Sequence, residues 1–159
     1  MSNSFLSWIS GDAIPRRGNW FSRGLAGALL GLAGWKAEGK LPNLPKFVIV
    51  GAPHTSNVDG ILAVFVLVAA GLDVHWMAKK EVFSNIFGGL LRWLGGIPVD
   101  RQAPTGIVDQ VVDRFNSRDK FAVVITPEGT RKRVEKWKTG FYRIALGAGV
   151  PVVLAYADY

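Results

Sequence analysis

The run Phe47-Val48-Ile49-Val50 is apolar at every position and rich in β-branched side chains, with no polar residue interleaved. A strand with one wet face alternates in polarity, so an uninterrupted run reads as a strand covered on both faces. Phe121 to Ile125 has the same character, and Val150 to Ala157 supplies another such stretch near the end of the chain. Asp73 to Ala78 and a short segment ending at Val99 read as further strands. Helical patterns lie between them. Val58 to Ala70 is apolar nearly all round and must be buried or line an apolar cavity. Lys79-Lys80-Glu81 opens a helix to about Leu94, with Gly88-Gly89 as its weak point. Ile107 to Phe115 is amphipathic, and Lys138 to Ala148 is the last helix. This alternation predicts an α/β fold: a single domain with a mixed, mostly parallel sheet flanked by helices, preceded by an N-terminal amphipathic or apolar helix. In such sheets ligands bind at the C-terminal ends of the strands.

A chain of 159 residues, 49% of them hydrophobic, suits one domain with a sizeable core. Residues 1–40 are expected to form a basic arm with a docking helix, and 41–159 the main domain, cut short at its C-terminus. There is no Cys, which excludes a thiolate nucleophile, a disulfide framework and a Cys-ligated zinc site. The net charge of +7 is uneven: residues 1–50 carry six Lys/Arg against two acids, and residues 128–143 again six against two. Such basic surfaces suit nucleic acid, anionic lipid headgroups or a phosphorylated substrate. Six Trp and nine Phe tilt the choice towards lipid.

His54 and Asp59 fall where the Phe47–Val50 strand gives way to the apolar helix. An imidazole there, oriented by a carboxylate on one ring nitrogen, keeps its other nitrogen as a base for a hydroxyl proton. Ser56 followed three residues later by Asp59 also fits a capping box, which gives Asp59 a purely local alternative role. Two other strand ends carry charge. Gly95-Gly96-Ile97-Pro98-Val99-Asp100-Arg101 ends on an Arg, and Thr126-Pro127-Glu128-Gly129-Thr130-Arg131 offers a carboxylate, a Gly turn and another Arg. Lys132, Arg133, Lys136 and Lys138 follow, so a phosphate arriving here meets a positive field.

Taken in order, His54-Thr55-Ser56-Asn57-Val58-Asp59, Gly95 to Arg101, Pro127-Glu128-Gly129-Thr130-Arg131 and Val150-Pro151-Val152-Val153 resemble the four blocks of the glycerolipid acyltransferase family, whose best-known members are the 1-acylglycerol-3-phosphate O-acyltransferases. The resemblance runs from about residue 40 to 156 and implies a role for each matching position. His54 is then the general base and Asp59 its orienting carboxylate. Arg101 binds the acceptor phosphate, with Gly95 shaping that loop. Glu128, Gly129, Thr130 and Arg131 form the acceptor floor, and Pro151 supports the fold near the site. The implied donor is a thioester of coenzyme A or acyl carrier protein, used as co-substrate without a cofactor or metal, and the acceptor is a lysophosphatidate-like glycerolipid. Another lyso-lipid or glycerol 3-phosphate is the alternative acceptor.

Two readings from other classes are weaker. A nucleic-acid-binding domain would explain the charge, but the aromatic residues fall mainly within apolar helices instead of along a basic stripe, so no nucleic acid partner is expected. A metal-dependent hydrolase built from His54, Asp59, His75 and Glu128 has too few ligands at metal-binding spacing. A lipid enzyme needs the membrane surface. Trp20 to Trp35 has an uncharged core, Gly24 to Trp35, too short to span a bilayer, for which about 20 residues are needed. It either lies in the interface, with Arg16, Arg17 and Arg23 at the headgroups, or docks on the protein's own core. The expected location is the cytoplasmic face of a membrane, held there as a peripheral or monotopic protein.

Overall fold

The structure is a computed structural model that describes residues 11–53, 56–100, 106–130, 132 and 134–158. The elements run α1 (Trp20–Leu32), β1 (Lys46–Ala52), α2 (Asn57–Ala70), β2 (Val74–Lys79), α3 (Gly88–Trp93), β3 (Gly96–Val99), α4 (Ile107–Asn116), β4 (Phe121–Ile125), α5 (Gly140–Ala148) and β5 (Val152–Tyr156). The strands form one sheet in the order β3-β2-β4-β1-β5, and every pairing is parallel.

The two central strands behave as their sequences require. Val48 of β1 lies beside Val123 of β4, and both face α4 and α5, where they pack with Val50, Val111, Phe115, Phe121 and Ile144. The intervening residues Phe47, Ile49 and Ala122 face the other way, into a core closed by Ala70, Leu72, Val74 and Ile14. Both faces are therefore dry, which is why neither strand alternates in polarity. Beyond α2 lies α1, whose Ala26 and Leu30 bury against Ala69, with Leu62 and Val66 alongside. Its N-terminus is fixed by a capping box in which Ser22 N donates to Asn19 Oδ1 at 2.9 Å and Asn19 N donates to Ser22 Oγ at 3.2 Å.

One expected helix is broken. Lys80–Phe83 forms a single 3₁₀ turn, and the chain resumes as α3 only at Gly88. A Cβ on Gly88 would sit 2.0 Å from the Phe83 carbonyl oxygen, so the second segment packs back on the first instead of continuing it.

Neighbouring β1 and β4 send their chains in opposite directions. From β1, α2 crosses one face past β4 to β2, and from β4, α5 crosses the other face past β1 to β5. Such a switch point opens a crevice at the C-terminal ends of the two strands.

His75 lies at the other end of the sheet. It stands beside Val123, and its ring packs on Phe121 with centroids 4.9 Å apart. Its Nδ1 is buried, and its Nε2 lies 3.4 Å from Arg118 Nη1. Burial lowers its pKa below the ordinary 6.5; the Arg118 and Arg17 charges act in the same direction, and Asp73 opposes them. The unfolded chain then takes up the proton first. Stability from this site is complete above about pH 6.5 and is lost as the pH falls from there through the folded-state pKa. A melting temperature that drops between pH 7 and pH 5, and drops less in His75→Gln, is the expected result; identical pH profiles would remove His75 as the cause.

Candidate functional site

β1 ends at Ala52, and Pro53 and Ser56 bracket the position of His54, which itself lies outside the described residues. Ser56 is the N-cap of α2. Its Oγ accepts from Val58 N at 3.1 Å and from Asp59 N at 3.4 Å, while Ser56 N donates to Asp59 Oδ2 at 2.8 Å and Ser56 Oγ donates to Asp59 Oδ1 at 3.0 Å. The capping box is therefore formed. It leaves Asp59 able to do more, because a carboxylate offers about four acceptor sites and Ser56 occupies two of them. The cap holds the Asp59 side chain in one orientation, half-buried, at the start of α2 and just after the segment that carries His54.

Beyond the end of β4, Pro127 is fully buried and Glu128 is only 9% exposed. Gly129 N donates to Thr126 O at 3.2 Å, closing a tight turn in which Gly129 takes φ +62°, a conformation other residues adopt at a cost. Thr130 Oγ1 accepts from Lys132 N at 3.3 Å, and Arg131 lies outside the described residues. The loop then returns: Lys138 N donates to Pro127 O at 2.8 Å, which lays Trp137 and Lys138 against the strand ends. In the sequence Lys138 stands only among the charges of a positive field and Trp137 has no role, because what places them is this long-range backbone bond. Their only local mark is an aromatic set between two lysines.

A cavity of about 410 Å³ lies at the ends of β1 and β5, walled by Val50, Ala52, Pro53, Trp137, Leu154 and Tyr156, with Glu128 also lining it. The wall is almost wholly apolar, and Glu128 is its one carboxylate.

The third expected segment reaches the same edge of the sheet at Asp100. Lys80 Nζ pairs with Asp100 Oδ2 at 2.6 Å, which raises the pKa of that lysine. Gln110 Nε2 donates to Asp100 O at 3.0 Å. Arg101 lies outside the described residues.

Two residues expected at the site are placed elsewhere. Gly95 precedes β3, at the opposite end of the sheet, where a Cβ would meet the Val74 carbonyl at 2.7 Å and the Arg17 guanidinium at 3.2 Å. Its need for glycine comes from that packing and from φ +93°. Pro151 precedes β5, and its carbonyl accepts from Val48 N at 3.0 Å. By register it stands opposite Phe47, five residues short of Ala52 along the paired strand, roughly 16 Å away. The same geometry separates His75 from Glu128, which dissolves the four-ligand metal arrangement. Among the described residues no group of three or more His, Asp or Glu is placed to hold a metal ion.

A parallel, doubly wound α/β domain with an apolar cavity and charged loops at one switch point is the class that fold and site define. The family model described as Acyltransferase matches residues 37–156, so the chain belongs to the acyltransferase family. It is similar to a 1-acyl-sn-glycerol-3-phosphate acyltransferase of Streptococcus pneumoniae, with 30% identity over 116 residues that make up 70% of this chain and 43% of the relative. The chain thus spans less than half the length of that relative. No solved structure matches it.

Proposed function

We propose that the protein is an O-acyltransferase that moves a fatty acyl group from a thioester of coenzyme A or acyl carrier protein to the hydroxyl of a lysophosphatidate-like glycerolipid. The observation that carries this reading is that Pro53, at the start of the loop leading to the capped Asp59, and Glu128, in the turn after β4, line one apolar cavity. The cavity accommodates acyl chain, and the flanking charges suit a phosphate.

In this reaction His54 takes the proton of the acceptor hydroxyl as its oxygen attacks the thioester carbonyl. Asp59 holds the imidazole and stabilises its cation. The tetrahedral intermediate collapses with cleavage of the C–S bond, and the imidazolium returns the proton to the departing thiolate. A thioester is activated enough for direct attack, so the absence of Cys is no obstacle. Arg101 and Arg131 bind the acceptor phosphate, and Glu128, Gly129 and Thr130 line its floor. An acyl-transfer assay over a panel of lyso-lipid acceptors with both thioester donors tests the proposal. No transfer to any acceptor by the folded protein would overturn it.

We also infer that the protein works on a membrane surface, at its cytoplasmic face. No helix among the described residues is long and apolar enough to cross a membrane. α1 instead exposes Phe21, Leu25, Leu29 and Leu32 on one stripe, and α2 exposes Val58, Ile61 and Phe65 beside it. The charges differ from the sequence expectation. Arg17 Nη1 donates to the Trp93 carbonyl at 2.7 Å and pairs with Asp73 at 3.5 Å, and the Arg23 side chain lies over Gly71 at the end of α2. Docking then rests chiefly on apolar area, at about 25 cal/mol per Å² buried. Leu25→Glu/Leu29→Glu is expected to release the protein from anionic vesicles in co-sedimentation, while transfer to a short-chain soluble acceptor continues. Unchanged sedimentation would exclude this stripe.

A further inference from the structure

We propose that Lys138 binds the phosphate of the acceptor, with its ammonium held over the Gly129 turn; this rests on the acyltransferase reading above and extends it to a residue outside the sequence blocks. The side chain is brought there by backbone. Lys138 N is pinned to Pro127 O at 2.8 Å, and the aliphatic chain then runs across Gly129. A methyl group on Gly129 would come within 2.9 Å of Lys138 Cδ and 3.0 Å of its Nζ. The glycine is thus needed twice, for its φ of +62° and for the passage of the lysine.

Among the described residues no acid pairs with the ammonium; the ion pairs there are Arg17–Asp73 and Lys80–Asp100. Laying a long lysine along a turn costs side-chain entropy, which an anionic ligand at the strand ends would offset. The preceding residue completes the fit. Trp137 walls the apolar cavity while Lys138 lies over the turn beside it, so two consecutive residues present an apolar surface and a cation. An amphiphile with a phosphate headgroup and an acyl tail matches that pair.

The test compares Lys138→Met, which keeps the aliphatic packing, with Lys138→Arg, which keeps the charge. For a lysophosphatidate acceptor, Lys138→Met is expected to raise KM about ten- to a hundredfold with little change in kcat, and Lys138→Arg to recover most of the loss. A neutral monoacylglycerol acceptor is expected to show no such penalty. Coenzyme A also carries a phosphate monoester, so the donor is varied between acyl-CoA and its 3′-dephospho form. A defect confined to donor KM that disappears with the dephospho donor would overturn the assignment to the acceptor. Calorimetric titration of glycerol 3-phosphate into His54→Ala protein, with and without Lys138→Met, reads the same contact without catalysis. Binding abolished by Lys138→Met, together with no acyl transfer by the protein that keeps His54, would support the phosphate site and overturn the acyltransferase reading. Transfer with an unchanged acceptor KM in Lys138→Met would do the reverse.

Discussion

His54→Ala is expected to lower kcat for acyl transfer by about a hundred- to ten-thousandfold while leaving the melting temperature close to that of the parent, since that is the range general acid–base catalysis supplies. The argument is one of supply. Apart from His54, the chain has a single histidine, His75, and its ring packs on Phe121 towards the opposite end of the sheet. The acids at the strand ends are suited to orientation and binding, and the lysines there to holding an anionic group. If His54 is the base, KM values should change little, because the lost interaction is made in the transition state. Near-normal turnover by a well-folded His54→Ala protein would end the proposed mechanism.

Ser56→Ala and Asp59→Asn are expected to separate two roles that share one side chain. Ser56→Ala removes the oxygen that caps Val58 N and Asp59 N, and should cost about 1 kcal/mol of stability with modest loss of activity. Asp59→Asn keeps an oxygen that can accept from Ser56 N, so much of the cap survives. It removes the negative charge that stabilises an imidazolium, and kcat should fall about a hundred- to ten-thousandfold. Thermal melts and turnover measured on both variants decide the matter. Should Asp59→Asn lose stability and keep its turnover, Asp59 is a helix cap alone.

The elements themselves were legible in the sequence, as was the order of the motif blocks. Phe47 to Val50 and Phe121 to Ile125 announce doubly covered strands because burial on both faces forbids polar residues at any position. Ser56 and Asp59 announce a helix start because the unpaired N–H groups there need acceptors within a few residues. These are local requirements, and a linear text can record them. The broken helix after β2 was partly visible in Gly88-Gly89, but its cause, contact between Gly88 and the Phe83 carbonyl, is a packing event.

The candidate site was less legible, because it depends on direction and neighbourhood. Gly95 and Pro151 stand in motif blocks, yet they precede their strands, and a parallel sheet carries them to the end away from the Glu128 turn. Arg17 reads as a free charge until its partners, Trp93 and Asp73, arrive from remote parts of the chain, and Arg23 until its side chain is seen to lie over Gly71. Trp137 and Lys138 gain their place from one bond to Pro127. By itself the sequence determined which segments become strands and helices, since those choices follow from covalent neighbours and from each segment's own polarity. Only the tertiary structure decided that β4 lies beside β1 and that α2 and α5 leave on opposite faces. Strand order is set by burying all the apolar surfaces at once, a condition on the whole chain, and it alone brings the Asp59 loop and the Glu128 turn to one crevice.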